Sequence, residues 1–572
     1  MPAASVAAGN GPDPDDTVNA WYAVRQWVDQ LQIPPKSDEQ AMVNIADATG
    51  CCVILRSQGR TVGVGTAHGD DGLMVRNATR QALGNALGDH AISALPDTMH
   101  ADAGRRLTVE LEVTGPLQPL IGDSFQEFTE DIHPLRHGMA LRWGDDWAMQ
   151  YPSQLRLVNN RPNAGRFDGM AIGLGRSPRA AGTALQQGEA TAYRFETIDL
   201  AQIDPESAPM ELIGGTLRAP APAKTTLRSQ LALAQALLID HINESMWPGD
   251  EQLGAMGTYV PSADRYDPLL AEPLDQALLA FALARISQDE HVDAARRDAA
   301  LDTALMLLDV LADGDDDTRG NDEAAGIILA STVLPEANLT DAHRMMRQQA
   351  IEQVRAMVTV KLSDDRSASN AHAAAMAAYA LAVLDEDDAA RTLSDRTWAA
   401  LPMEQHSTLL PWIVWTELDI DGGVEPARRQ SLLQVRSMLH ERQVPATDER
   451  FGAELSGGYV LGRTPLDVTA QSLRPGAALP AMIGSPLLTP IDIRSEELKR
   501  MEAFALFLLR LQITPEGAML HQNPVRSTGG IRLAAWDARM PPAAQAMALL
   551  TMQELLNLPE DPVQDAADPD LY

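Results

Sequence analysis

The first 200 residues switch between two periods of hydrophobic residues, one typical of helices and one typical of strands. Apolar residues recur at three- and four-residue spacing from Val18 to Val28, which predicts a helix capped by Asp16 or Thr17. Strict alternation from Leu107 to Val113 predicts a half-buried strand. The same reasoning predicts two hairpins and a second helix, at 52–66, 139–149 and 75–87. Because these elements follow one another without regular βαβ order, an α+β domain is predicted over residues 17–203.

From Leu227 onward the strand pattern largely disappears, and apolar residues recur at helical spacing as far as residue 558. Helices are predicted at 231–241, 274–286, 294–311, 324–334, 342–360, 371–384, 391–401, 409–418, 428–440, 496–511 and 543–556. These blocks show no strict repeat, which favours stacked antiparallel helical pairs over a tetratricopeptide array. An all-α domain is therefore predicted over residues 225–558. The proline-rich stretch 204–224 is predicted to be a linker.

Composition and charge limit the classes of partner. The chain has 572 residues and a formal net charge of −34, and a field of that sign repels phosphate backbones. Neither nucleic acid nor a membrane is therefore expected as a partner, and no apolar window approaches the length of a membrane span. The two adjacent cysteines, Cys51 and Cys52, favour a reducing compartment, so a cytoplasmic protein is predicted. Residues 1–16 are predicted to be a disordered lead and residues 559–572 an acidic tail.

Five local sequences of the α+β region resemble the AMMECR family and occur in the family's order. They are the glycine-rich strand with Gly65-Thr66, the helix Asn77–Asp89, the strand Leu107–Val113, His137-Gly138 before a hairpin, and Ala192–Glu196 in a closing strand. The resemblance covers roughly residues 17–204. It implies an AMMECR-like α+β domain, with Gly65, Thr66 and His137 as candidate site residues.

One departure from the family pattern bears on chemistry. The family has arginine-glycine-cysteine before this strand, whereas the aligned positions here are Thr61, Val62 and Gly63. Chemistry carried by that thiol or guanidinium in relatives is therefore expected to be lost. The resemblance implies a role in binding a small ligand or a protein, and relatives of the family are associated with Memo-type and radical-enzyme partners.

The helical half resembles α/α-toroid proteins, the superfamily that includes terpenoid cyclases and several carbohydrate-active enzymes. That resemblance implies a site formed by long loops at one end of the toroid. Three loops, at 254–267, 442–497 and 515–537, are candidates to line such a mouth. Aromatic rings there would suit stacking on sugars, and ionisable groups would suit hydrogen bonding or acid–base work. The candidate ligand-binding residues are Tyr259, Asp264, Tyr266, His521, Arg532, Trp536 and Asp537.

The sequence predicts neither a cofactor nor a metal site. His133 and His137 have helical metal-ligand spacing, but Pro134 separates them and no third ligand is near. The acidic run 313–318 has Thr318 where a calcium loop needs glycine. Gly63, Gly65 and Gly69 do not have the dinucleotide-binding spacing. Cys51 and Cys52 are interpreted as core side chains.

Three functions remain open from the sequence. The preferred one is a non-catalytic or weakly catalytic protein that binds a small molecule, a saccharide or a protein partner. The alternative is a carbohydrate-active enzyme, a hydrolase or a lyase, with its site in the toroid loops. A third makes the toroid a platform for Memo-type or radical enzymes. Enzyme chemistry would require the loop candidates to face one cavity with two carboxylates about 5 to 10 Å apart.

Overall fold

The computed structural model describes residues 12–35, 43–69, 72–122, 124–128, 132–133, 136–159, 163–213, 216–217, 226–314, 319–359, 368–421, 423–446, 453–462, 464 and 467–558. Up to residue 217 helices and strands are mixed around one antiparallel sheet. From residue 226 the chain is mainly helical, with a single two-stranded ribbon among the described residues. A mixed α+β region followed by a helical region is what the hydrophobic periods predict.

The sheet of the α+β region contains nine strands. They are β1 (Gly50–Ser57), β2 (Arg60–His68), β3 (Thr108–Thr114), β4 (Gln118–Pro119), β5 (His137–Trp143), β6 (Asp146–Gln150), β7 (Ala190–Ala201), β8 (Met210–Ile213) and β9 (Thr216–Leu217). The main path runs β2-β1-β3-β7-β5-β6, and all its pairings are antiparallel. In the register of the central strands, Cys52 lies opposite Glu112, and Glu112 lies opposite Asp199.

Eight helices accompany this sheet among the residues described up to 217. They are α1 (Pro14–Asp29), α2 (Met74–Gly88), α3 (His90–Ser93), α4 (His100–Arg105), α5 (Phe125–Phe128), α6 (Pro152–Leu157), α7 (Ala164–Gly173) and α8 (Pro178–Gln187). Helices α1 and α2 cover one face of the sheet, where Trp21, Val53 and Leu111 belong to one buried apolar cluster. The side chains that alternate with Val53 and Leu111 therefore point to the opposite face, which carries most of the charge.

The helical region contains fourteen helices among its described residues. They are α9 (Leu227–Glu244), α10 (Pro273–Ser287), α11 (Ala294–Ala312), α12 (Asn321–Val333), α13 (Asp341–Thr359), α14 (Ala368–Val383), α15 (Asp387–Ala400), α16 (Trp412–Asp419), α17 (Pro426–Arg442), α18 (Leu473–Gly484), α19 (Ile491–Leu511), α20 (Pro515–Ala518), α21 (Pro524–Ser527) and α22 (Pro542–Leu556). Strands β10 (Tyr259–Val260) and β11 (Arg265–Tyr266) form the ribbon between α9 and α10.

Six of these helices are packed in a continuous order. Helix α10 contacts α12, α12 contacts α14, and α14 contacts α16. Helix α16 contacts α18, α18 contacts α22, and α22 returns to α10. Helices α10, α12 and α22 are buried on nearly all sides, and small residues let them approach closely, as where Gly326 lies against Ala277. A helix that is apolar all round belongs in the interior of such an assembly.

Three of the differences between the structure and the predicted elements concern a loop, the linker and the first helix. Helix α18 lies inside the predicted loop 442–497 and is buried nearly throughout. The prediction of a loop there was wrong because Pro475, Gly476 and Pro480 are residues that usually interrupt helices. Strand β8 pairs with β7 and with β9 within the predicted linker, so the sheet extends to residue 217. Helix α1 begins at Pro14 and is capped by Asp13, three residues before Asp16 and four before Thr17, the two predicted caps. Residues 1–11, 218–225 and 559–572 lie outside the described part of the chain.

We find no helix in the described part of the chain with the length and apolar character needed to cross a bilayer.

Candidate functional site

The long loops of the helical region meet at one end of the helices. The loop after α9 is joined to the loop before α22 by backbone hydrogen bonds in both directions between Tyr259 and Met540. The loop between α17 and α18 is joined to the same segment by a bridge between Thr469 and Ala534. The described residues of the three predicted candidate loops therefore form one connected surface.

A small cleft opens where the first of these loops meets α9 and α22, and its cavity volume is about 20 Å³. Its apolar walls are Ile242, Met246, Ala255, Met256, Leu279 and Met540. Its polar groups are His241, Ser245, Tyr259, Tyr266 and Gln545. Among these lining residues there is no aspartate, glutamate, lysine or arginine. A cavity of that volume holds about one water molecule, so a larger ligand has to move the flexible methionine side chains or bind at the open side of the cleft.

The polar groups of the cleft are held in fixed positions. Burial lowers the pKa of His241 to about 4, although backbone carbonyls of the 526–528 segment partly offset this, so the ring is neutral at physiological pH. The Ser245 hydroxyl donates to the carbonyl of His241 at 2.9 Å. Gln545 accepts from the amide of Ile531 at 2.7 Å and donates to its carbonyl at 2.9 Å. The cleft therefore contains polar groups but carries no net charge.

Tyr259 and Tyr266 lie side by side on the ribbon, with ring centroids 5.1 Å apart, but in different environments. Tyr259 is 1% exposed and packs against Ile513 and Met540. Its hydroxyl donates to Asp264 at 2.9 Å, and burial raises its pKa. Tyr266 is half-buried at the edge of the same cluster, and burial raises its pKa too. Tyr259 has the position of a core side chain, whereas Tyr266 has a face open to the cleft.

The two candidate carboxylates are both held in ion pairs within the chain. Asp264 accepts from Arg526 at 3.2 Å and from Asn523 at 3.3 Å, besides the bond from Tyr259. Asp537 is paired with Arg539 at 2.5 Å and accepts from Asn159 at 2.9 Å. Since Asn159 belongs to the α+β region, Asp537 connects the two regions. Neither carboxylate is free for catalysis in this arrangement.

Neither Arg532 nor His521 lines the cleft. Arg532 donates to the carbonyls of Arg510, Leu511 and Ala535. The first two are carbonyl groups at the C-terminal end of α19, which lack partners within the helix. Burial, reinforced by the charge of Arg156, lowers its pKa to about 10. Burial and the charges of Arg532, Arg56 and Arg156 lower the pKa of His521 to about 3. Trp536 is half-buried in the same segment. Of the seven loop candidates, Tyr259 and Tyr266 line the cleft and Asp264 supports it.

Two of the charges acting on His521, those of Arg56 and Arg156, belong to a cluster on the face of the sheet opposite α1 and α2. We term this cluster the buried charge network: Arg56, Glu110, Glu112, Arg156 and Asp199. Arg56 contacts Glu110 at 2.5 Å, and Arg156 contacts Glu110 at 2.5 Å and Asp199 at 2.9 Å. Arg56, Glu110 and Glu112 are at most 2% exposed. The network thus holds three buried carboxyl groups against Arg56, which is buried, and Arg156, whose side chain is 23% exposed.

The carboxyl groups of this network respond differently to burial. Burial would raise the pKa of Glu110, but Arg56 and Arg156 outweigh it and the pKa falls. Burial, and then the charge of Glu110, raise the pKa of Asp199 well above its usual range. Burial also raises the pKa of Glu112, which accepts from the Ser153 amide at 3.0 Å and the Thr197 hydroxyl at 2.7 Å. Clusters of this kind occur at functional sites and in structural ion networks alike.

The two regions also meet at the turn between β1 and β2. Gly59 has a φ of +84°, and a side chain there would collide with the carbonyl of His521 and the ring of Pro524. Gly144, in the turn between β5 and β6, has a φ of +63° and open space around it. The two glycines therefore share the same backbone requirement but differ in what lies beside them.

We expect Gly59→Ala to lower the free energy of unfolding by about 2 to 3 kcal/mol, and Gly144→Ala by only about 1 kcal/mol. Both variants strain a left-handed backbone, but only the first pushes the 521–524 segment away from the sheet. Urea unfolding of the two variants measures the difference. Equal losses would show that the two regions do not press on one another at this turn.

The candidates of the α+β region serve packing and local hydrogen bonding. A side chain at Gly65 would collide with the backbone of α2 at Ala78, so glycine allows β2 and α2 to pack closely. The amide of Thr66 donates to Gln81 on that helix at 2.9 Å. His137 accepts from the amide of His133 at 2.9 Å and lies 3.6 Å from Glu196. The contacts of Gly65 and Thr66 described here are with Ala78 and Gln81, neither of which is ionisable.

Both cysteines are fully buried in β1. Burial raises the pKa of each thiol, and the charge of Glu112 adds to the effect on Cys52. A thiol that stays protonated is a poor nucleophile and a poor metal ligand. Their position agrees with the interpretation of Cys51 and Cys52 as core side chains.

The residues that sequence reasoning missed are His241, Ser245 and Gln545. They lie at the end of α9 and the start of α22, about 300 positions apart in the chain. Only His241 had a sequence signal, as a polar residue that ends an apolar helical pattern and proves to be 4% exposed.

Comparisons with known proteins add little to this geometry. No protein-family model matches the sequence, and no curated protein matches it. Solved structures similar to the chain include the crystal structure of an uncharacterized protein, PH0010, from Pyrococcus horikoshii. It is 15% identical, covers 35% of this chain and 97% of its own, and has a TM-score of 0.25. A likeness of that degree leaves the function to be argued from the site.

Proposed function

We propose that this protein binds a small uncharged molecule in the cleft between α9, α22 and the ribbon, and that it does so without catalytic machinery. One observation carries the proposal. The cleft combines an apolar wall with neutral hydrogen-bonding groups and has no charged side chain in its lining. A charged ligand would lose its hydration there without gaining a counter-charge.

The chemistry of the walls suggests the class of ligand. Met246, Met256 and Met540 are flexible and polarisable, so they adapt to irregular apolar surfaces. The exposed face of Tyr266 suits stacking, and the Ser245 oxygen, whose proton goes to the His241 carbonyl, suits a ligand hydroxyl that donates. A monosaccharide or another small cyclic alcohol meets both requirements.

The proposed architecture extends the resemblances noted in the sequence. We infer that residues 17–203 form an AMMECR-like domain and that the six helices packed in continuous order form an α/α toroid. The return of α22 to α10 supports a closed ring. The strand–helix order around Gly65-Thr66 and His137-Gly138 supports the AMMECR-like assignment. Under this proposal the three connected loops form the mouth of the ring.

The geometry favours binding over the carbohydrate-active enzyme. Hydrolysis of a glycoside by the usual route needs a pair of carboxyl groups facing the substrate. Asp264 and Asp537 are each paired with an arginine, and neither lines the cleft. Partner binding by Memo-type or radical enzymes stays a hypothesis that rests on the family resemblance alone.

Tyr266 provides the test of ligand binding. We expect Tyr266→Ala to weaken the binding of methyl glucoside or cyclohexanol about tenfold, because a stacking surface worth about 1 kcal/mol or more is removed. Ligand-observed NMR titration measures the affinities, and thermal unfolding verifies that the melting temperature changes little.

A matched control uses Tyr22, a tyrosine that is 49% exposed on α1. Tyr22→Ala should bind both compounds as the unmodified protein does. Equal affinity of Tyr266→Ala and the unmodified protein would remove the cleft from the proposed function, as would binding of cyclohexanecarboxylate in preference to cyclohexanol.

A further inference from the structure

The buried charge network has more acidic than basic groups. With every group ionised, three carboxylates would face two guanidinium groups, so one negative charge would have no counter-charge. Glu110, Glu112 and Asp199 are each at most 5% exposed. A carboxylate without a counter-charge is so unfavourable at that degree of burial that it usually takes up a proton instead. One bound proton would make the network neutral.

Strand pairing places two of the three carboxyl groups next to each other. Glu112 on β3 lies directly opposite Asp199 on β7, and the Cβ atoms of such pairs are about 4.5 to 5.5 Å apart. Two buried carboxyl groups that close together do not both ionise readily, because like charges repel in a medium of low polarity. Glu110 differs from them because it contacts both guanidinium groups. The additional proton therefore belongs to Glu112 or Asp199.

Hydrogen bonding distinguishes these two groups. Oε2 of Glu112 accepts from the Ser153 amide at 3.0 Å, and Oε1 accepts from the Thr197 hydroxyl at 2.7 Å. Oδ2 of Asp199 accepts from Arg156 at 2.9 Å, whereas Oδ1 is buried and has no hydrogen-bond partner among the described residues. An ionised carboxylate is an acceptor at both oxygens, so Asp199 is the less well stabilised anion. Burial raises the pKa of Asp199 well above its usual range, which agrees with this assignment.

The surroundings of the network provide no other close counter-charge. The described hydrogen bonds of the Arg532 side chain are with backbone carbonyls, and His521 is neutral at physiological pH because its pKa is lowered to about 3. Glu211 on β8 lies opposite Leu200, whose side chain is on the face covered by α1 and α2. The charged and titratable groups around the network are Cys52 and Arg56 on β1, Glu110 and Glu112 on β3, Arg156 on α6, and His521 and Arg532 from the helical region.

We propose that Asp199 takes up a proton when the chain folds, and that this proton makes the α+β region a pH-sensitive element that becomes less stable as the pH rises. The folded state then binds one more proton than the unfolded state at any pH above the unfolded pKa of aspartate, about 4. Stability therefore falls from that pH upward until the folded-state proton is lost as well. The network is separate from the cleft, and neither depends on the other.

The first test is hydrogen exchange of the full chain, followed by mass spectrometry between pH 5 and pH 8. Asp199→Asn is neutral at every pH and imitates the protonated group. We expect the amides of β3 and β7 to exchange faster in the unmodified protein than in Asp199→Asn by a ratio that grows about tenfold for each pH unit until Asp199 ionises. The ratio removes the intrinsic pH dependence of exchange. Asp102→Asn changes a side chain that is 61% exposed, and its ratio should be constant.

The second test detects the proton itself by infrared difference spectroscopy at pH 7, where exposed carboxyl groups are ionised. The difference between the unmodified protein and Asp199→Asn should contain the band of a protonated carboxyl group, and the difference for Asp102→Asn should not. Labelling aspartate with ¹³C at the carboxyl carbon should shift the band. An exchange ratio for Asp199→Asn that does not change with pH, or a difference spectrum without the band, would overturn the proposal. A band that the label leaves unshifted would place the proton on a glutamate and overturn the assignment to Asp199.

Discussion

Arg156→Met is expected to lower the free energy of unfolding by about 3 to 5 kcal/mol at pH 7. Arg156 is the residue that joins Glu110 to Asp199, and it comes from α6, whereas both carboxyl groups come from the sheet. Removal of one partner from a buried ion network leaves the other charges uncompensated, which costs more than the network contributes when intact. Urea unfolding followed by circular dichroism measures the loss.

The loss should depend on pH. Without Arg156 the folded-state pKa of Glu110 rises, and that of Asp199, already raised by burial, rises further above its unfolded value of about 4. A carboxyl group with a raised folded pKa destabilises the fold only above its unfolded pKa. The difference between the variant and the unmodified protein should therefore be smallest near pH 4 and grow as the pH rises toward 7.

Two further variants make this prediction specific. Arg105→Met removes a pair with Asp102 in which both side chains are more than 60% exposed, and it should cost less than about 1 kcal/mol. Adding Asp199→Asn to Arg156→Met should recover part of the loss. A loss below 1 kcal/mol in Arg156→Met, or one independent of pH, would mean that the network is hydrated.

Tyr259→Ala is the second change with a large expected effect, again about 3 to 5 kcal/mol in the free energy of unfolding. The ring is 1% exposed and fills the space between Ile513, Ala518 and Met540, so its loss leaves a cavity. Thermal and urea unfolding measure this effect. The loop would then separate from the segment that precedes α22, because the Tyr259–Met540 pairing depends on that packing.

Tyr259→Phe separates the hydroxyl from the ring. It removes only the hydrogen bond to Asp264 and should cost about 1 kcal/mol. Should Tyr259→Ala keep its stability and lose affinity for methyl glucoside, the ring would be a ligand contact and its assignment to the core would be wrong.

Periodicity predicted most helices and strands because the apolar stripe of each element is local in the chain. Helix α2 and the hairpin of β1 and β2 lie within two residues of their predicted bounds. Helix α18 was not predicted, because Pro475 and Pro480 are read as breakers when the surrounding burial is unknown. Its burial comes from α16 and α22, which are distant in sequence.

The alternation in β3 predicted the strand but not the surroundings of its polar face. Glu110 and Glu112 occupy the positions that usually face water, yet both are at most 1% exposed. Their cover comes from α6, and the charges of Arg56 and Arg156 make burial tolerable. No local pattern shows that a second layer will cover the polar face of a strand.

Only the part of the candidate site that is local in the chain was predicted from the sequence. The ribbon brings Tyr259, Asp264 and Tyr266 together because they are within eight residues of one another. Which tyrosine is buried and which faces the cleft depends on Met540 and Ile513, far along the chain. Arg532 and Asp537 were predicted as ligand groups, but the first satisfies carbonyls at the end of α19 and the second joins the two regions.

The most direct test of the proposed binding function uses ¹³C-methyl methionine NMR. Met246, Met256 and Met540 line the cleft, whereas Met74 and Met139 lie in the α+β region at 2% and 0% exposure and serve as internal references. We expect cyclohexanol and methyl glucoside to shift the three cleft signals in a saturable way and to leave the references unchanged. Cyclohexanecarboxylate should not shift the cleft signals. Unmoved cleft signals with the neutral compounds, or equal shifts with the anion, would contradict the account.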